Sequence, residues 1–224
     1  DIIPTQVVKM LKGDGTTNDT YDVTTPNYTN AVAFSSFSNF ALGEVPATLP
    51  TDHFRSKANG SWNDVATWES SVDGTTWYSS TLVPTNAAAD ITIKDYTEVN
   101  IAANTTSSNL VVEENAMLTM DALITLEITG SLTATGYFAS SNIIFNGTTQ
   151  QEVLCYPYLS DVVINNPSGI LLSADLVTTS LILQDGVIET GLYEVYLQGG
   201  FTGGSSASYV DGKVSQWIAN DGQS

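Results

Sequence analysis

The side chains able to do chemistry in this chain are few and far apart. Asp161, Asp175 and Asp185 stand ten or more residues from one another, each beside a turn, the ordinary place for a corner aspartate. Hydrolysis of a glycosidic bond needs two carboxylates facing each other across roughly 5 to 10 Å. Glu113 and Glu114 are adjacent, and neighbours on an extended strand point to opposite faces, so that pair predicts a solvated bend. A polysaccharide lyase needs a strong base, Arg or Lys, beside carboxylates that hold calcium. Arg55 is the sole arginine, and between residues 87 and 224 the lysines are Lys94 and Lys213, near opposite ends. His53 is the sole histidine and lies in a linker-like stretch, which makes a Ser-His-Asp triad hard to assemble. A zinc site needs more His or Cys than the chain owns. Cys155, the one cysteine, predicts a buried small hydrophobe and no intrachain disulfide. No glycine-rich phosphate loop precedes a helix. Calcium could use turn carboxylates, but no Gly-rich acidic nonapeptide array is present. The residues therefore predict no catalytic centre, no metal site and no cofactor.

Aromatic residues are the better candidates for contact with a ligand. Trp62, Trp68 and Trp77 crowd into one short window, and Tyr156 and Tyr158 flank Pro157. Exposed aromatic faces suit sugar rings, whereas buried ones carry packing. Only exposure separates the two readings of Trp62, Trp68, Trp77, Tyr156 and Tyr158.

The elements that would position these residues are legible as a repeat. Ser108-Asn109-Leu110-Val111-Val112, Ser141-Asn142-Ile143-Ile144-Phe145-Asn146-Gly147, Ser160-Asp161-Val162-Val163-Ile164-Asn165-Asn166 and Leu181-Ile182-Leu183-Gln184-Asp185-Gly186 are copies of one phrase, alternating aliphatics and then a polar bend. Shorter answering strands, such as Met117-Leu118-Thr119 and Gly169-Ile170-Leu171-Leu172, lie between them. A return at roughly twenty residues marks a stacked-coil architecture. The pattern predicts an all-β chain with a parallel β-helix over 87–198, some six coils about 30 Å long, and almost no α-helix. Asn109, Asn142, Asn165 and Asn166 predict coil corners, because Asn tolerates left-handed backbone and bonds nearby backbone groups.

Residues 1–45 read as end strands of a sandwich-like β segment: Ile2-Ile3-Pro4, Gln6 to Met10, a bend from Gly13 to Thr20, Ala31 to Phe34, Phe37 and Phe40 to Gly43. Two or three strands are marginal alone in water, so this segment needs a neighbour. Residues 46–53 predict a linker. Residues 54–86 predict a Trp-rich cap on the solenoid, with a hairpin turn at Asp73-Gly74. Residues 199–224 predict a Gly/Ser loop, a closing strand from Tyr209 to Ile218, and a lead-in to a missing domain.

Composition excludes some partners. The 224 residues carry 24 acidic and 6 basic side chains, a net charge of -18, yet only 13% are charged, so the surface is mostly neutral and polar. Nucleic acid and anionic lipid need clustered Lys and Arg and are excluded. No apolar run approaches the length of a membrane span, so membrane insertion is not expected. The first residues contain no signal peptide, so an export signal is expected to be removed or outside this sequence. A flat threonine ladder for ice is absent, since Thr133, Thr135, Thr148, Thr149, Thr178 and Thr179 do not recur at one place in the phrase. Asn-x-Ser/Thr triplets at Asn18, Asn27, Asn59, Asn104 and Asn146 match chance in so Asn- and Thr-rich a chain.

Several of these phrases resemble secreted surface proteins of the Bacteroidetes. Gly60-Ser61-Trp62-Asn63-Asp64 with Ala66-Thr67-Trp68, then Pro84 and Asp90-Ile91-Thr92-Ile93, resembles the opening of a G8-like β-helix module. Leu159 to Asn166 and Leu181 to Gly191 are similar to right-handed β-helix repeats of type IX secretion substrates. Phe34 to Gly43 looks like the last strand of a sandwich domain in such proteins, and Tyr209 to Gly222 like the lead-in to another. The resemblance implies a right-handed parallel β-helix at the cell surface, as a piece of something longer, and carries no catalytic residues to transfer.

The expectation is a non-catalytic extracellular scaffold, spacer, adhesin or filament subunit. Its partners would be neighbouring domains or identical subunits joined by strand addition. The alternative is a polysaccharide-binding or polysaccharide-cleaving module using the aromatic residues above.

Overall fold

The computed structural model describes residues 7–12, 17–21, 40–156 and 158–217, with side chains from residue 46 onward. The chain divides into two compact units between Leu49 and Pro50. In the first, β1 (Val7–Lys12) is flanked by β2 (Thr17–Tyr21) and β3 (Phe40–Val45), both antiparallel to it. The polar stretch Thr17–Tyr21, expected to be part of a bend, is therefore a strand, because pairing along β1 outweighs its weak propensity. The strands expected at Ile2 to Pro4, at Ala31 to Phe34 and around Phe37 lie outside the described residues.

The second unit is a parallel β-solenoid of about seven turns. Its first face stacks β4 (His53–Ser56), β8 (Ile91–Ile93), β11 (Leu110–Val112), β14 (Leu132–Ala134), β17 (Gln151–Cys155) and β19 (Ile170–Leu172). The starts of β21 (Ile188–Leu197) and β23 (Val210–Gln216) complete it. The second face stacks β5 (Gly60–Ser61), β9 (Glu98–Ile101), β12 (Met117–Met120) and β15 (Tyr137–Ala139). The third stacks β10 (Thr105–Ser107), β13 (Thr125–Ile128), β16 (Asn142–Phe145), β18 (Leu159–Asn165), the far half of β20 (Leu176–Asp185) and β22 (Phe201–Gly203). The long strands β20 and β21 run through a coil corner, so their near and far parts pair on different faces.

Strand alternation decides which residues go inside. Ile91, Leu110, Leu132, Val153 and Leu172 occupy one inward column in register, each at most 2% exposed. Ile128, Phe145, Ile164 and Leu183 form another on the third face. Between these walls the interior is one continuous apolar core. The outward positions of the first face, Thr92, Val111, Thr133 and Leu154, are half-buried by their neighbours along the stack.

Several boundaries differ from the sequence reading. The coils begin before residue 87, since β4 and β5 already pair in parallel with β8 and β9. His53 is consequently the first residue of a rung and not part of a linker. Within 54–86 only β6 (Trp68–Ser71) and β7 (Tyr78–Ser79) depart from the parallel pattern, adding antiparallel strands to the edge of β4. At the other end, Phe201–Gly203 and Val210–Gln216 pair as rungs, so the Gly/Ser tract is only partly loop. Short strands with polar corners hid these end rungs, because their aliphatic content is low.

Candidate functional site

The polar residues at the coil corners hold one coil to the next. Asn59 Oδ1 accepts the Glu98 N–H at 2.9 Å, Asn104 Oδ1 the Thr125 N–H at 3.0 Å, and Asn109 Oδ1 the Ser131 N–H at 2.9 Å. Asp175 Oδ1 takes the Glu194 N–H at 2.9 Å and Glu113 Oε2 the Asp95 N–H at 2.6 Å. Corners are where the backbone ladder breaks, so these acceptors satisfy donors that would otherwise be orphaned. The corner asparagines act through the side chain and not through left-handed backbone. Among the described residues the non-glycine positions with left-handed φ are Tyr96 and Leu123.

One such corner is fully internal. Gln151 and Asn166 are 1% and 0% exposed. Gln151 Nε2 donates to the carbonyls of Ile128 and Gly130, and its Oε1 accepts from Gly147 N–H at 2.9 Å and Asn166 Nδ2 at 2.9 Å. Asn166 Nδ2 also reaches Thr149 O at 2.8 Å, and its Oδ1 accepts the Ser168 N–H at 2.9 Å. Sequence reading identified Asn166 as a corner but missed Gln151. A glutamine opening an apolar strand was the available signal.

Among the described residues no three carboxylates cluster as a metal site would need. Glu113 is committed to the Asp95 amide, Glu152 Oε1 accepts the Ser173 hydroxyl, and Glu194 accepts that of Ser215. Glu194 beside Tyr196 pushes the tyrosine's pKa upward, mainly by accepting its hydroxyl proton in a hydrogen bond. Asp161 pairs across the ladder with Asn142 and Ser180, on the third face.

The sole histidine and arginine staple the first rung. His53 Nδ1 lies 2.7 Å from Asp90 Oδ2, and Arg55 Nε donates to Glu69 Oε1 at 2.6 Å. The Arg55 guanidinium also sits 4.0 Å from the centre of the Trp77 ring, a cation–π contact. Ser71 stands opposite His53 on β6, so the three residue types of a triad lie near one another. The Ser71 hydroxyl, however, donates to Asp73 Oδ1 at 2.9 Å and is 1% exposed, which commits it to the turn.

Exposure divides the aromatic candidates. Trp62 and Trp68 are buried at 1% and 0%, packed edge to face with centroids 5.1 Å apart. Their indole N–H groups donate to Pro84 O and Trp62 O. Their faces are thus closed to any ligand, which removes both from the stacking candidates proposed above. Trp77 is half-buried under Arg55. Tyr156 and Tyr158 are 69% and 41% exposed, and Tyr137, not singled out from sequence, is 57% exposed.

Three surface cavities accompany these residues. One of about 370 Å³ is bordered by Tyr137, Ser140, Tyr158 and Ser160 on the second face. Two others, about 710 and 340 Å³, lie by the last coils, bordered by Tyr196 and Trp217 and by Phe201 and Val210 respectively.

Comparison of the chain with protein-family models, curated proteins and solved structures finds no match.

Proposed function

We propose that the chain is a non-catalytic scaffold or spacer module of an extracellular or cell-surface protein, in which the solenoid sets distance and carries adhesive contacts. One observation carries this reading: polar side chains at the coil corners, two carboxylates among them, are spent on stacking. Asn59, Asn104, Asn109, Glu113, Asp175 and Gln151 each bond the backbone of an adjacent coil. A carboxylate held against a backbone amide is spent as a hydrogen-bond acceptor in the ground state. The high strand content and the acidic, weakly charged surface fit a protein that keeps its distance from other anionic surfaces. Joining to identical subunits by strand addition, through residues 1–45, belongs to the same proposal.

Incubation of the full chain with neutral and acidic polysaccharides, followed by reducing-end and unsaturated-uronate assays, tests the first part. No product above background is expected, and steady turnover would sink the reading. Sedimentation over a hundredfold concentration range tests the second. Growth of larger species with concentration is expected, and a strict monomer throughout removes strand addition from the proposal.

A further inference from the structure

Among the described residues, the ladder of the solenoid's second face is interrupted between β15 and Leu159. The ladder runs in register from β5 through β9 and β12 to β15 and there ends. It resumes one coil on, at Leu159, which pairs with Thr178, and continues where Leu176 pairs with Val195. Tyr156 and Tyr158, just before Leu159, stand outside the strands. At this break lies the cavity of about 370 Å³ bordered by Tyr137 and Tyr158. Its volume is within the range of small-ligand sites.

We propose that this cleft binds a neutral saccharide, with the rings of Tyr137 and Tyr158 taking the C–H face of a sugar. Both tyrosines are exposed, at 57% and 41%, and Tyr137 is held on a strand, so little conformational freedom is lost when it meets a ligand. Among the described residues no charged side chain borders the cleft, and the net charge of -18 repels uronates, which selects a neutral ligand. The serines define polarity as well. Ser160 Oγ donates to Ser140 O at 3.0 Å, so its remaining role is that of acceptor. Ser140 Oγ accepts the Ser160 N–H at 2.9 Å, so its remaining role is that of donor. Sugar hydroxyls both give and accept, and match this pair. A polyproline stretch, the other ligand that favours aromatic grooves, has carbonyl acceptors but no N–H to offer Ser160. Among the described residues no carboxylate borders the cleft, so the site holds a sugar without cleaving it. This inference does not rest on the spacer reading, and its failure would leave that reading intact.

Calorimetric titration of the full chain with cellohexaose, xylohexaose, mannohexaose, oligogalacturonate and a decaproline peptide tests the proposal. Binding of at least one neutral hexasaccharide is expected. Tyr137→Ala and Tyr158→Ala should each weaken it about tenfold, the scale of one lost stacking contact. Tyr137→Phe should retain it, and Tyr196→Ala, on a different coil, should leave it unchanged. Ser160→Ala keeps both rings and should still lower affinity, which covers the case where an alanine variant fails to fold. The proposal is overturned if no neutral sugar binds, if decaproline or oligogalacturonate binds instead, or if binding ignores the substitutions at Tyr137, Tyr158 and Ser160.

Discussion

At the residue scale, burial sets the chemistry of the most reactive atom. Cys155 is 2% exposed in the column with Ile93, Val112 and Ala134, and loss of water pushes its pKa up to about 12. At pH 8 the thiolate fraction is then on the order of one in ten thousand, so the folded chain should not react with Ellman's reagent. One thiol per chain should appear only in denaturant, and rapid native reaction would contradict the core placement. The raised pKa has a stability consequence of definite sign. The protonated thiol is favoured in the fold, so its contribution is full below the ordinary value of 9.0 and is lost as pH rises toward about 12. Asp73 behaves in the opposite sense. The amides of Thr76 and Thr75 donate to its carboxylate at 2.9 and 2.8 Å and hold its pKa well below the usual range. Its contribution to the turn is present above the ordinary carboxylate pKa and disappears as pH falls through the lowered one. Amide shifts of Thr75 and Thr76 should therefore move only in strong acid, and Asp73→Ala should abolish that transition.

At the element scale, the corners carry as much of the fold as the strands do. Gly186 has φ +91°, and a Cβ there would lie 1.7 Å from the Asn166 carbonyl oxygen. Gly186→Ala should cost about 2 kcal/mol or more, since both backbone strain and the clash oppose it. Gln151→Leu strips acceptor and donor partners from the same internal corner. The polar groups left behind in the interior should cost about 3 kcal/mol, measured as a drop in urea midpoint at constant slope. The antiparallel strands β6 and β7 are the second device at this scale, because an open strand edge invites pairing with other chains. Trp68→Ala should lower stability by about 3–5 kcal/mol and promote aggregation through the edge of β4. An unchanged urea midpoint for that variant would show that the indole does not anchor this end. A hairpin was legible at Asp73-Gly74, but the answering strand is Tyr78–Ser79 and not Thr75 to Trp77, so the connecting loop is longer than the two residues expected. The cross-strand partners of His53 and Arg55 were not legible, because Asp90 lies 37 residues and Glu69 14 residues away.

At the scale of the whole molecule, the second unit stacks about seven coils, a column about 30 Å tall at the spacing of parallel strands. Residues 50–224 should fold without the first 49, because their core is internal to the second unit. Far-UV circular dichroism of that fragment should show a strand minimum, and its melting should match the corresponding transition of the full chain. A fragment that fails to fold would mean that the first unit supplies part of the core. Solenoid stability is a sum of coil terms and nearest-neighbour terms, so a defect at Phe145 should weaken its own and adjoining coils most. Hydrogen exchange on Phe145→Ala should accelerate around β13, β16 and β18 before it reaches β4 or β23.

The coils were visible in the amino-acid order because an inward column demands an aliphatic residue at every second position of each rung. Ile91, Leu110, Leu132 and Val153 announce themselves by that spacing alone. Folding had to decide what alternation leaves undetermined: which face each strand joins, where a face is interrupted, and which aromatic rings turn inward. Trp62 and Trp68 share their local composition with an exposed sugar platform, yet packing over the first coil buries them. Tyr137 carries no local signal that separates it from other strand residues, and only the break beside β15 sets it at the border of a cleft. Periodicity acts within one rung and is written locally. The neighbourhood of a surface side chain is made by coils some twenty residues away, and is settled by stacking.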